Sequence, residues 1–280
     1  MFRHVTIIGV GLLGGSVAMS IRRRLPDVKI AGCSRRESTL NAALEVGAID
    51  EAFDEIDSRL RASDAVVVCT PVDRIARQVI QAAALTSDEC LITDVGSTKA
   101  GIVREVGEDT SASEKFVAAH PIAGSEKTGV RNATASLFDG KVVLVTPAQT
   151  TPQSRLDQAH SFWGLTGARV ISMTPDQHDD QLAAISHVPH LMSALVSKLT
   201  PESALPWVGS GWRDITRVAA GDPEMWTAIC SENRQAILQQ VRRYMDELGE
   251  VTRCLQDSDD EALHQWFAAA RSIRHQADPQ

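Results

Sequence analysis

From its start to about residue 172 the chain alternates short, continuous apolar runs with longer amphipathic stretches. "VTIIGV" precedes a helical pattern from Leu12 to Arg24, and "VKIAGCS" precedes another from Glu37 to Val46. "DAVVVCTP" leads into "VDRIARQVIQAAA", and "CLITDVGS" into "TKAGIVREV". "KFVAAHP", "KVVLVTP" and "ARVISMTP" follow. Runs of Val and Ile without polar alternation are strands buried on both faces, which predicts a mostly parallel sheet with helices on its sides. After Pro175 the strand-like runs stop. "DQHDDQLAAISHVPHLMSALVSKL", "PEMWTAICSENRQAILQQVRRYMDELGEVTRCL" and "DEALHQWFAAARSIRHQ" all carry helical spacing. The expected organisation is an α/β domain over residues 1–172 and an all-helical domain over residues 173–280.

Composition narrows the partners. At 43 % hydrophobic residues, 280 residues can bury a sizeable core. Only 4 % are aromatic, which argues against stacking on single-stranded nucleic acid. A net charge of -8 disfavours DNA, RNA and anionic lipid, so any anion must be held by a local basic site. No apolar run is long enough to cross a bilayer. The five cysteines form no C-x-x-C pair, as expected of free thiols in a reducing, cytoplasmic setting.

"IIGVGLLGG" places Gly9, Gly11 and Gly14 in a G-x-G-x-x-G that follows a strand and opens a helix at Leu12 and Leu13. The first glycine allows a tight turn, the second a close approach of backbone to pyrophosphate, and the third close packing of helix on strand. Helix amides then meet negative charge. This context predicts a dinucleotide site and a Rossmann-type, doubly wound sheet. The NAD-binding form of the motif carries an acid about 20 residues on. Here "KIAGCSRRES" ends its strand with Ser34, Arg35 and Arg36. A carboxylate would repel a 2′-phosphate, whereas a serine and two arginines can bind one. NADP is expected ahead of NAD. Thr70 and Pro71, in the turn after the "AVVVC" strand, are placed by analogy beside the nicotinamide ribose.

Hydride transfer from an alcohol needs a base for the hydroxyl proton, and histidine suits it near neutral pH. Of eight histidines, His120 ends the run "KFVAAH" beside a glycine-containing turn. On position alone it is either that base or a structural histidine. His187 and His190 stand three apart across Pro189 with no further close ligand, so no metal site is expected. Pro189 inside a helical pattern predicts a kink.

Four further motifs occur in order: "DVGSTK", "HPIAGSEKTGV", "HDDQLAAISHVPH" and "GWRDITRVAAGDPEMW". With the glycine fingerprint they cover nearly the whole chain, which resembles the prephenate/arogenate dehydrogenase family of tyrosine biosynthesis. The resemblance implies a Rossmann domain, a C-terminal helical dimerisation domain and a homodimer. It implies that His120 accepts the proton of the ring hydroxyl and that Ser97 orients both. Arg217 would hold a substrate carboxylate, with Asp214 and Glu126 pairing with the arginine at the entrance. His190 and His178 would line the side-chain end of the substrate, and Trp226 would close the pocket. Without the family, Arg217 reads as a surface arginine beside Asp214, and Trp226 as a core residue. Two alternatives remain at this level: another Rossmann-plus-helical oxidoreductase of the β-hydroxyacid dehydrogenase type, and a non-enzymatic NADP sensor. Prephenate and arogenate are not distinguished.

Overall fold

A computed structural model describes residues 2–124 and 127–277. Cα proximity divides the chain into two compact units, residues 1–233 and 234–280.

The first unit opens with β1 (His4–Ile8), α1 (Leu12–Arg24), β2 (Lys29–Cys33), α2 (Glu37–Glu45) and β3 (Glu51–Phe53). It continues through β4 (Ala65–Val68), α3 (Val72–Ala83) and β5 (Leu91–Asp94). These strands form a parallel sheet of order β3-β2-β1-β4-β5. The order reverses between β1 and β4, and the crevice beyond their carboxyl ends is where such sheets bind ligands.

Side-chain alternation along the strands feeds two core layers. On one face Val5, Ile7 and Val67 pack in a layer with Val17 and Ile21 of α1. On the other, Ile8, Val66, Val68 and Ile92 pack with Ile75 and Val79 of α3. α3 buries Val72, Ile75, Ala76, Val79, Ala82 and Ala83, an apolar stripe at helical spacing. β3 escapes sequence reading because it is three residues long and only Phe53 is buried.

Two short helices, α4 (Ala100–Val106) and α5 (Thr110–Lys115), lead to β6 (Ala118–Ile122) and β7 (Val142–Thr146). Then come α6 (Gln153–Gly164) and β8 (Arg169–Ser172). These strands form a second sheet, β6-β7-β8, in which β6 runs antiparallel to β7. The apolar runs alone predict one mostly parallel sheet. The split arises because β6 joins β5 through a single bridge, Ile92 to Phe116, with Val117 N donating to Ile92 O at 2.9 Å. Farther along, side chains replace the ladder.

α7 (Pro175–Leu182), α8 (Val188–Leu199), α9 (Ser210–Thr216) and α10 (Pro223–Glu232) complete the unit. Polar ties spanning 79 and 80 positions, from Asp179 to the start of α4, join α7 to the rest of this unit. α7 starts with a capping box at Thr174 and Gln177 and a first-turn proline, Pro175. Residues 183–187, between α7 and α8, are π-helical. Pro189 follows after Val188; it cannot donate to the carbonyl four residues back, so the α-helical ladder is interrupted there.

The second unit contains α11 (Arg234–Gln256) and α12 (Asp260–Gln276). Asp259 caps α12 by accepting from Ala262 N at 2.9 Å. Met245, Leu248, Leu255, Phe267 and Ile273 are exposed apolar side chains on this helix pair. Among the described residues no helix is long and apolar enough to cross a membrane.

Candidate active site

The turn from β1 into α1 follows from its glycines. Gly9 has φ +94°, and a Cβ there would lie 2.7 Å from the Cys69 carbonyl oxygen. A Cβ at Gly14 would lie 2.3 Å from the Gly9 carbonyl oxygen, so α1 could not seat on β1 with any other residue. A Cβ at Gly11, the N-cap of α1, would meet no protein atom within 4 Å. The space that glycine leaves there opens into a cleft of about 900 Å³. Ser34, Arg35 and Arg36 line that cleft from the end of β2, and Thr70 and Pro71 from the end of β4. Arg74 and Arg77 of α3 add two more guanidinium groups. Asp54 and Glu55, after β3, are its carboxylates. Arg35, Arg36 and Arg77 have no carboxylate partner among the described residues, and all three are exposed. Ser34 sits half-buried, with its Oγ 3.5 Å from Arg36 N. Thr70 Oγ1 donates to Gln78 at 2.5 Å, which fixes the turn after β4. Burial pushes the Cys33 thiol up to about 11 and Cys69 above its ordinary value, so neither cleft thiol is a ready thiolate.

A second set of groups gathers where β6 leaves β5. Asp94 ends β5 with both carboxylate oxygens engaged. One accepts from Ala119 N at 2.9 Å, and the other from Gly96 N at 2.8 Å and from Lys99 Nζ. Lys99 Nζ also donates to the Ala119 carbonyl at 2.9 Å. Carboxylate and ammonium together take up both backbone groups of the residue before His120. Neither side chain has any exposed surface.

His120 stands half-buried on β6. Its Nδ1 lies 2.8 Å from His178 Nε2. His178 Nδ1 lies 2.8 Å from Asp179 Oδ1. Asp179 also accepts from Lys99 N and Ala100 N, at 2.8 and 2.9 Å. Burial, then the neighbouring His178, Lys99 and His187, hold the His120 imidazole well below its ordinary value. His178 is lowered too: burial outweighs its bond to Asp179. His187, at the end of the π-helical turn, accepts from Asn233 Nδ2 at 3.1 Å, and Asn233 also donates to the Asp179 carbonyl at 2.7 Å. Burial lowers His187 to about 4.

His190 begins α8 one turn after Ser186, whose carbonyl bonds its Nδ1 at 2.9 Å. Its ring stacks on Trp226 of α10, with centroids 3.7 Å apart at 28°. Arg217 follows α9. Its exposed guanidinium acts on His190, adding to burial in lowering that imidazole.

The comparisons decide the family. Residues 17–172 match the model for the prephenate dehydrogenase nucleotide-binding domain, and residues 174–269 the one for the prephenate dehydrogenase dimerization domain. The chain belongs to the prephenate dehydrogenase family. It is 32 % identical to the Bacillus subtilis prephenate dehydrogenase over 277 residues, 96 % of this chain and 75 % of that protein. It is 29 % identical to the Zymomonas mobilis cyclohexadienyl dehydrogenase, over 98 % of this chain and 96 % of that protein. The crystal structure of Aquifex aeolicus prephenate dehydrogenase, in complex with hydroxyphenyl propionate and NAD+, superposes with a TM-score of 0.93. That pair shares 31 % identity, over 99 % of both chains.

Within this family frame, the sequence-derived residues fall into place unevenly. His120, His178 and His187 with Asp179 form one network, and His190, Trp226 and Arg217 form a neighbouring group. His178 does not line an opening: it has no exposed surface, and both ring nitrogens are engaged. Ser97 is half-buried on the loop after β5. The bond to His120 Nδ1, expected of an orienting residue, is made by His178. Asp214 and Arg217 are both exposed, and no ion pair joins them among the described residues. Glu126 lies outside the described residues. The sequence reading assigned no role to Asp94, Lys99, Asp179 or Asn233. For Asp94, Lys99 and Asp179 the signal was present, since "DVGSTK" and "HDDQ" are dense in charge beside strand and helix ends.

Proposed function

We propose that this chain oxidises and decarboxylates prephenate, arogenate or both, giving 4-hydroxyphenylpyruvate or tyrosine, with NADP as the preferred cofactor. NADP, when bound, supplies the hydride acceptor. The amides at the start of α1 and the open space at Gly11 suit its pyrophosphate. Ser34, Arg35 and Arg36 suit a 2′-phosphate: the strand end carries no acid to repel it, and the guanidinium groups have no carboxylate partner among the described residues. The Aquifex relative holds NAD+; the preference for NADP rests on this chain's own β2 end.

The observation that carries the reading is His120, held through one ring nitrogen and set beside the group that includes Arg217. Its Nε2 takes the hydroxyl proton as hydride leaves the carbinol carbon. The ring carboxylate then departs as CO₂, and aromatisation draws the step forward. Ser97 orients the hydroxyl. Arg217 binds a carboxylate of the dianionic substrate as a fork-shaped donor. His190 and Trp226, locked by stacking, wall the pocket. Asp214 and Glu126 shape the entrance. Positioning beside the nicotinamide supplies most of the acceleration, because the chemistry needs few charged groups.

The functional division falls at residues 172 and 173, with the C-terminal part joining two copies into a homodimer, as the matched dimerization domain supports. Five free thiols fit a cytoplasmic location.

The experiment is a set of initial rates for prephenate or arogenate with NADP or NAD, followed by nicotinamide absorbance. Turnover with at least tenfold preference for NADP supports the reading. Preference for NAD overturns the cofactor assignment. Absence of turnover with every pair overturns the activity.

A further inference from the structure

We propose that Asp179 and His178 are positioning residues that act through His120, locking its imidazole in the tautomer protonated on Nδ1 so that Nε2 faces the substrate with a free lone pair. The inference rests on His120 as the base in the reaction proposed above.

The assignment follows from donor counting. The Asp179 carboxylate only accepts, and it already takes Lys99 N and Ala100 N. His178 Nδ1, 2.8 Å away, is therefore the donor. A neutral imidazole has one N–H, so His178 Nε2 is an acceptor. His120 Nδ1, 2.8 Å from it, must donate. That leaves His120 Nε2 unprotonated. The opposite tautomers would aim the His178 Nε2–H at His120 Nδ1 and leave the bare His178 Nδ1 facing the Asp179 carboxylate, two lone pairs against each other.

The surroundings keep His178 neutral. Charged or titratable groups act on it from β5 (Asp94), the following loop (Lys99) and α7 (Asp179), and burial exceeds them all. On His120 the corresponding groups are His178, Lys99 and His187. Asn233 fixes the far side of the network by bonding both His187 and the Asp179 carbonyl. When His120 takes up the hydroxyl proton, its Nδ1–H stays on His178, and the Asp179 charge stabilises the imidazolium without itself taking a proton. Asp179 also ties down the start of α4, so His178 is the residue to vary.

Two variants separate a positioning role from a packing role. His178→Gln keeps an acceptor for His120 Nδ1, and His178→Leu fills similar volume without one. The expected result is that H178Q keeps kcat within about tenfold of the parent protein. H178L loses about 100-fold or more in kcat with little change in KM, since general-base catalysis contributes about that much. The acid limb of the kcat/KM profile moves to lower pH in H178L alone. Equal losses in both variants with an unmoved acid limb would overturn the proposal, as would full activity in H178L. The unsubstituted protein offers a test that needs neither variant folding nor turnover. Long-range ¹H–¹⁵N correlation of labelled histidines reports which ring nitrogen of His120 bears the proton. Nδ1–H supports the relay and Nε2–H rules it out, even where no substrate is turned over.

Discussion

Asp94 and Lys99 form an ion pair with no solvent exposure on either side, and between them they hold both backbone groups of Ala119. Removing one partner leaves the other charge buried without compensation, which costs about 3–5 kcal/mol. Lys99→Met should lower stability by that amount in chemical denaturation. A loss under 1 kcal/mol would mean that water reaches Asp94. Because the pair pins the residue before His120, kcat should fall along with stability.

His120→Asn removes the base while keeping a side chain of similar size. Turnover should fall by about 10²–10⁴, the range for general-base catalysis. NADP affinity, measured by fluorescence or calorimetry, should change less than threefold. Parallel loss of both would place His120 in the cofactor site instead.

Arg35 and Arg36 are exposed at the start of α2, where positive charge opposes the helix dipole. The double change Arg35→Ala with Arg36→Ala should reduce kcat/KM for NADP by about 100-fold, or about 2.7 kcal/mol. The value for NAD should stay within threefold. An equal fall with both cofactors would assign the arginines to general attraction rather than to the 2′-phosphate.

Arg217→Gln should raise KM for the acidic substrate far more than it lowers kcat, as removal of uniform binding does. The expected rise is about 100-fold, set by one charge-assisted pair of about 3 kcal/mol. A fall in kcat alone would argue that the guanidinium acts on the transition state.

His120, His178 and His187 are all held below the ordinary imidazole value in the folded protein, chiefly by burial. Below about pH 6.5 the unfolded chain takes up protons at these sites and the folded chain does not. Stability should thus be flat above that pH and fall as the pH drops toward 4, where His187 protonates in the fold. His187 alone contributes on the order of 3 kcal/mol of this loss. Thermal melts from pH 8 to 4 check it. Stability that rises on acidification would contradict the buried, neutral network.

The glycine turn was legible in the sequence because few residues tolerate φ +94° with a carbonyl 2.7 Å from the Cβ position. The buried parallel strands were legible for a similar reason: no polar residue interrupts "AVVV". The relay was not. His120 and His178 are 58 residues apart, and only the seam between β6 and α7 brings their rings together. Sequence reasoning sorted His178 with the pocket wall because its neighbours in the motif, rather than its burial, are visible there. The antiparallel start of the second sheet was equally hidden, since Val142 to Thr146 reads the same whichever way its partner runs.

The π-helical turn at residues 183–187 sets the angular phase of α8 relative to α7. An α-helix advances about 100° per residue. Deleting one residue from that turn would restore an ordinary helix and swing His190 by about that angle away from Trp226, while leaving His178 and Asp179 where they are. The turn works as a phase shifter, letting one continuous helical rod present two histidines to two different tasks.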